Sequence, residues 1–143
     1  VLIASLDHTV FAPVQTHNEQ GELPKWITMQ EALPLAANET WLHTQRAQKA
    51  DGTRQAIHVS NPAPTLDTQG GKMKWSDRDG RDPSHHGTRK FSIAEALILQ
   101  DFDPTLRLEG TQTSQYMQIG NAIPVRMASA CLKATGHFGD SNG

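Results

Sequence analysis

Two polar clusters flanked by glycine are the segments best equipped to meet a ligand. In Gly120-Asn121, followed by Ile123-Pro124, a residue without a side chain lets backbone approach a bound group, and the Asn amide offers both a donor and an acceptor. The same pair suits a plain turn and helix cap. The second cluster, Thr65-Leu66-Asp67-Thr68-Gln69-Gly70-Gly71-Lys72, is entered through Pro62 and Pro64, which stiffen the approach. Thr65 can donate to a phosphate oxygen, Gln69 has the geometry to read a base edge, and Gly70-Gly71 allows close backbone approach. Composition alone also fits an ordinary surface loop.

Other chemistry-bearing residues are less well placed. Cys131 is the single cysteine, so the chain has no internal disulfide and no multi-cysteine zinc site, and a lone thiol among apolar neighbours is more often packing than nucleophile. His85-His86, adjacent rather than spaced on a helix face, make a metal site only with help from Asp82. The expected metal set is therefore none. In Met73-Lys74-Trp75 an aromatic flanked by a lysine can stack on a base or simply fill a small core.

Charge is unevenly spread. The net charge of −2 hides a basic middle: from His43 to Lys90, nine Lys or Arg face five Asp, whereas the segment before it is net −4 and the segment after it net −2. A polyanion would meet the middle rather than the ends. Mean hydropathy is negative and the apolar runs are short, which predicts a soluble piece with no membrane partner. Val1-Leu2-Ile3-Ala4-Ser5-Leu6 has neither a basic flank nor a cleavage site, so it reads as a buried strand rather than a signal peptide.

The elements that must position these clusters follow from periodicity and caps. Residues 1–6 and Thr9-Val10-Phe11 are strand candidates, and Thr28-Met29-Gln30-Glu31 has the form of a capping box opening a short helix through Leu33. From Ala36 to about Gly87 the chain is polar and rich in turn formers, with brief apolar patches at Trp41, Ile57 to Val59 and Met73 to Trp75, a pattern for a small irregular β lobe. Ser92 and Glu95 form a second capping box, with Phe91 placed to staple against Ala96, opening a helix that Asp103-Pro104 stops. A last helix is predicted from Val125 through Lys133, with Met127, Ala130, Cys131 and Ala134 as its apolar stripe and Gly136 as its stop. Gly139 to Gly143 read as a tail.

Three blocks carry a family resemblance. Gln115-Tyr116-Met117-Gln118-Ile119-Gly120-Asn121-Ala122-Ile123-Pro124 resembles the final conserved block of the DNA (cytosine-5) methyltransferases, a Gln-x-Gly-Asn-x-Val-Pro signature leading into the last helix. Arg89 to Phe102 is similar to the preceding block, Arg-x-Leu-Thr-x-Arg-Glu-x-x-Arg-Leu-Gln-Gly-Phe-Pro, with matches at Arg89, Glu95, Leu99, Gln100 and Phe102. It departs where the two helix arginines become Ala94 and Ile98, the glycine Asp101 and the proline Asp103. Asn61 to Gly71 resembles the core of the target-recognition domain, in which a Thr-Leu dipeptide precedes a glycine-rich loop.

The resemblance implies an α/β fold: the C-terminal part of a Rossmann-like methyltransferase core using S-adenosylmethionine, plus a small β-rich recognition lobe. It divides the chain into residues 1–35 ending the core, 36–88 forming the lobe, 89–137 returning to the core and 138–143 as a tail. It implies cofactor-side positions at Gly120, Asn121 and Ile123, and DNA-side positions at Thr65, Leu66, Thr68, Gln69, Gly70, Gly71, Lys72 and Arg89. In the family a cysteine thiolate attacks C6 of a flipped-out cytosine and the methyl group goes to C5. The Pro-Cys loop, the acidic Asn-containing block and the Gly-rich cofactor strand are not in this sequence, so no catalytic residue is expected in it. The expected partners are double-stranded DNA and an N-terminal catalytic half, on the same longer chain or a separate subunit, in a prokaryotic or phage-encoded restriction-modification setting in the cytoplasm. Two alternatives are a catalytically inactive DNA-binding remnant and a metal-dependent nuclease module built on His85 and His86.

Overall fold

Both capping boxes form and start the helices they announce. In the computed structural model, which describes residue 15 and residues 17–18, 21–48, 54–79 and 89–135, the Thr28 hydroxyl accepts from the Glu31 N–H at the head of α1 (Met29–Ala32), while Glu31 accepts from the Thr28 backbone. Ser92 and Glu95 do the same for α2 (Ile93–Leu99). Each exchange satisfies two backbone or side-chain donors at a helix end that would otherwise lack partners. The strand candidates at 1–6 and 9–11, the stop at Gly136 and the tail lie outside the described residues, as do His85 and His86.

Among the described residues, strands of the polar middle join Arg89-Lys90 in a four-stranded antiparallel sheet. Its strands are β1 (Trp41–Gln48), β2 (Arg54–His58), β3 (Lys74–Ser76) and β4 (Arg89–Lys90), in the spatial order β2-β1-β3-β4. Leu42 faces Ile57 on one side and Trp75 on the other, and the β1–β2 register is interrupted between His43 and Gln48. The three apolar patches seen in the sequence thus become neighbours. Trp75 is buried and stacks on Phe91, with ring centroids 5.6 Å apart, so it fills the core.

Among the described residues α2 is followed by α3 (Gln112–Asn121) and α4 (Val125–Ala134). The chain divides into two compact units, one comprising residues 27–122 and the other residues 1–26 with 123–143. In the first, Met29, Leu33, Leu42, Val59, Leu66, Met73, Trp75, Phe91, Ala96, Leu97 and Ile119 make one core, so α1, the sheet, α2 and α3 share an apolar centre. In the second, α4 carries the expected apolar residues but buries none fully; Val125, Met127 and Leu132 are exposed.

Two expectations are corrected. α2 ends at Leu99, before Asp103-Pro104, because Asp101 adopts a left-handed φ of 63° and the Asp101 and Phe102 N–H groups donate back to Ile98 and Leu97. That is a Schellman stop with aspartate in the place usually held by glycine. Gly120-Asn121 also do not form a turn opening the last helix: they are the final residues of α3, and Pro124 caps α4.

Candidate nucleic-acid interface

The Thr65 to Lys72 segment is a loop fastened at three points. Leu66 is buried in the shared core and anchors its start. At the next point the chain passes so close to α3 that a Cβ on Gly120 would lie 2.4 Å from the Asp67 carbonyl carbon and 2.5 Å from the Thr68 nitrogen. At the third, Gly70 is buried under the Tyr116 ring, where an added Cβ would sit 2.8 Å from Cδ1. Only glycine permits these two approaches. The Tyr116 hydroxyl donates to the Phe91 carbonyl and keeps the ring in place; burial, and then the Glu95 charge, raise its pKa above the ordinary tyrosine value.

Within these anchors the loop makes its own turns. Asp67 accepts from the Gln69 N–H at 2.7 Å, and Gly70–Lys72 close a 3-10 turn through Lys72 N–H to Gln69 O and Met73 N–H to Gly70 O. Thr65, Gln69 and Lys72 are left exposed and Thr68 half-buried. Fixed backbone with outward polar tips suits a reading surface: little ordering remains to be done when a partner arrives.

Arg89 sits elsewhere. Its guanidinium forks between two carboxylates: Nη2 lies 2.8 Å from Glu39 Oε2 and 2.5 Å from Glu95 Oε1, Nη1 lies 2.9 Å from Glu95 Oε2, and Nε also donates to Glu39. Glu95 in turn accepts from the Trp75 indole at 3.1 Å and from the Ser92 N–H at 2.7 Å. Burial pushes the Glu95 carboxyl up, but Arg89 together with the Ser92 backbone and hydroxyl outweigh it and hold it below the usual glutamate value. The Arg89 hydrogen bonds hold Glu39 low as well, and Glu95 first and Glu39 second raise Arg89. One cation thereby ties β4, α2 and the approach to β1 together.

Two clefts flank this network. One, about 420 Å³, is lined by Asn38, Glu39, Trp75, Ser76, Asp77, Arg78 and Arg89 and so mixes both signs of charge. The other, about 560 Å³, lies between the loop and α3, and no carboxylate lines it. On the remaining side of α3, Gly120 has its bare face filled by the loop backbone, while Asn121 is exposed; in the other unit Ile123 is exposed too.

The model of the C-5 cytosine-specific DNA methylases matches residues 11–137. The chain belongs to that family. It is 31% identical over 108 residues to the Type II methyltransferase M.AgeI of Thalassovita gelatinovora, covering 61% of this chain and 25% of that protein. To M.Sau96I of Staphylococcus aureus it is 34% identical over 87 residues, covering 61% of this chain and 19% of the relative. The match to M.Bpa9945I of Bacillus paralicheniformis, at 26% over 135 residues, takes in 92% of this chain and 27% of the relative. This chain therefore spans about a quarter of the length of these methyltransferases. No solved structure matches significantly.

Sequence reasoning found the loop but missed what holds it. Tyr116 and the carboxylate partners Glu39 and Glu95 become visible only when the fold brings α3, α2 and the approach to β1 against β4 and the residue after it. Among the described residues no cluster of three or more His, Cys, Asp or Glu could hold a metal ion, and no helix is long and apolar enough to cross a membrane.

Proposed function

We propose that this chain is the DNA-reading C-terminal part of a cytosine-5 methyltransferase, presenting residues 65–72 to duplex DNA and closing part of the S-adenosylmethionine site. The observation that carries the reading is the pinned loop: Asp67 and Thr68 pass against Gly120 of α3, Gly70 packs under the Tyr116 ring of α3, and Thr65, Gln69 and Lys72 stay exposed. Thr65 and Lys72 hold phosphates, while Gln69 reads a base edge. Leu66 and Gly70 act by fixing the backbone, and Gly71 shares the tight turn. Arg89 serves this interface by holding β4 and α2 in register.

In this reading residues 36–88 form the recognition lobe, and the flanking segments 1–35 and 89–137 complete a Rossmann-like core whose catalytic cysteine lies on an N-terminal half. S-adenosylmethionine supplies the methyl group. Asn121 and Ile123, both exposed, offer an amide and an apolar contact to it, and Gly120 positions Asn121 by seating α3 on the loop. The protein acts in the cytoplasm of a prokaryote as the modifying arm of a restriction-modification pair.

The test joins this chain to an N-terminal catalytic half and follows labelled methyl transfer to duplex DNA. Transfer to cytosine C5 is expected, and Cys131→Ala should leave it intact. Duplex binding without any transfer would replace the reading with a binding-only remnant; a requirement for a divalent metal would point to nuclease-like chemistry instead.

A further inference from the structure

The cleft beside the loop has a second wall, and its chemistry is that of a phosphodiester clamp. Thr68, Gln69 and Lys72 line one side; Lys90 from β4 and Gln112, Thr113, Tyr116 and Met117 from α3 complete it. Lys72 and Lys90 bring two positive charges, four Gln and Thr side chains add hydrogen-bonding groups, and no acidic residue contributes. The adjacent residue, Arg89, shows the contrast: it is neutralised by Glu39 and Glu95, whereas Lys72 and Lys90 form no ion pair with any described residue. The volume, about 560 Å³, is within the range that takes a nucleotide-sized group.

We infer that Lys90, Gln112 and Thr113 form, with Lys72, a clamp on the sugar–phosphate backbone of duplex DNA next to the bases that the loop reads. The inference rests on residues 65–72 being the DNA-facing loop. Clamping from α3 gives that helix a second task besides supporting the loop, and fixes the strand against which Gln69 is aligned. Contacts of this kind position DNA without reading its sequence, and each released counterion makes binding more salt-dependent.

The salt dependence of duplex binding, measured on the full chain with a target and an unrelated duplex, tests it. Lys72→Gln and Lys90→Gln should each flatten the log affinity against log salt slope by about 1 and weaken both duplexes equally. Lys90→Arg should keep the original slope, and Thr113→Glu should weaken binding to both duplexes at low salt, while Lys25→Gln, outside the cleft, changes nothing. If Gln69→Ala alters sequence preference but the Lys90 and Thr113 variants bind as the parent does, the clamp is wrong and the loop reading stands. Failure of the parent chain to bind duplex, or a preference for single-stranded RNA, overturns both.

Discussion

Arg89 and Glu95 occupy family positions that look, in sequence, like a basic residue free for DNA and an ordinary capping glutamate. Their side chains instead meet each other, with Glu39 added from fifty residues away. Removing Arg89 leaves the Glu95 carboxylate, whose side chain is 8% exposed, without its cation. We expect Arg89→Met to destabilise the chain by about 2 kcal/mol, less than for a fully buried pair because the Arg89 side chain is 42% exposed. Arg89→Lys, which cannot fork, should recover only part of the loss. Chemical denaturation measures both, and a change under about 0.5 kcal/mol for Arg89→Met would show the network to be ornamental. The capping half of Glu95 was legible because Ser-x-x-Glu is local. Its bond from Trp75 and the link through Arg89 to Glu39 were not, since nothing in the sequence says that β4 lies beside β3 and β3 beside β1.

At the scale of elements, α3 shows why one helix escaped a reading of caps and periodicity that found α1, α2 and α4. Its ten residues, Gln112 to Asn121, bury only Tyr116 and Ile119, too little for a distinct apolar stripe. Thr111 caps it through the Ser114 N–H, but no acidic residue completes a box, so the local signal is half of what announces α2. The stop of α2 was misplaced for a related reason: aspartate at position 101 gives no hint of the left-handed turn that glycine would. What α3 lacks in apolar surface it makes up in close approach. Gly120→Ala would put a methyl group 2.4 Å from the Asp67 backbone, with no flexible side chain to yield. We predict a loss of about 1–3 kcal/mol and a shift of the loop, visible as faster amide exchange at Thr68 and Gln69. Unchanged exchange there would mean that α3 does not hold the loop.

At the scale of the whole molecule the same carboxylates contribute to acid sensitivity. Glu39 and Glu95 titrate below the ordinary value of 4.5 when folded, so below that pH the unfolded chain binds more protons. Their contribution is full above about pH 4.5 and is lost as pH falls through the depressed folded values. The denaturation midpoint should therefore be flat above pH 5 and fall on acidification, with Arg89→Met flattening the fall; a fall of equal size in that variant would place the acid sensitivity elsewhere. On this scale the family blocks, the basic middle and the presence of a small sheet were legible in the sequence. The single core that the sheet shares with α1, α2 and α3 was not, because that depends on which apolar patches meet. The loop proposed to read DNA stands on that core, and duplex selection tests the proposal most directly. Presented with a pool of random duplexes, the chain should enrich a short cytosine-containing sequence, and Gln69→Ala should change the preference at one position while the fold, followed by circular dichroism, stays intact. A pool that emerges unenriched, or an enriched sequence indifferent to Gln69, would contradict the assignment of residues 65–72 as the surface that reads DNA.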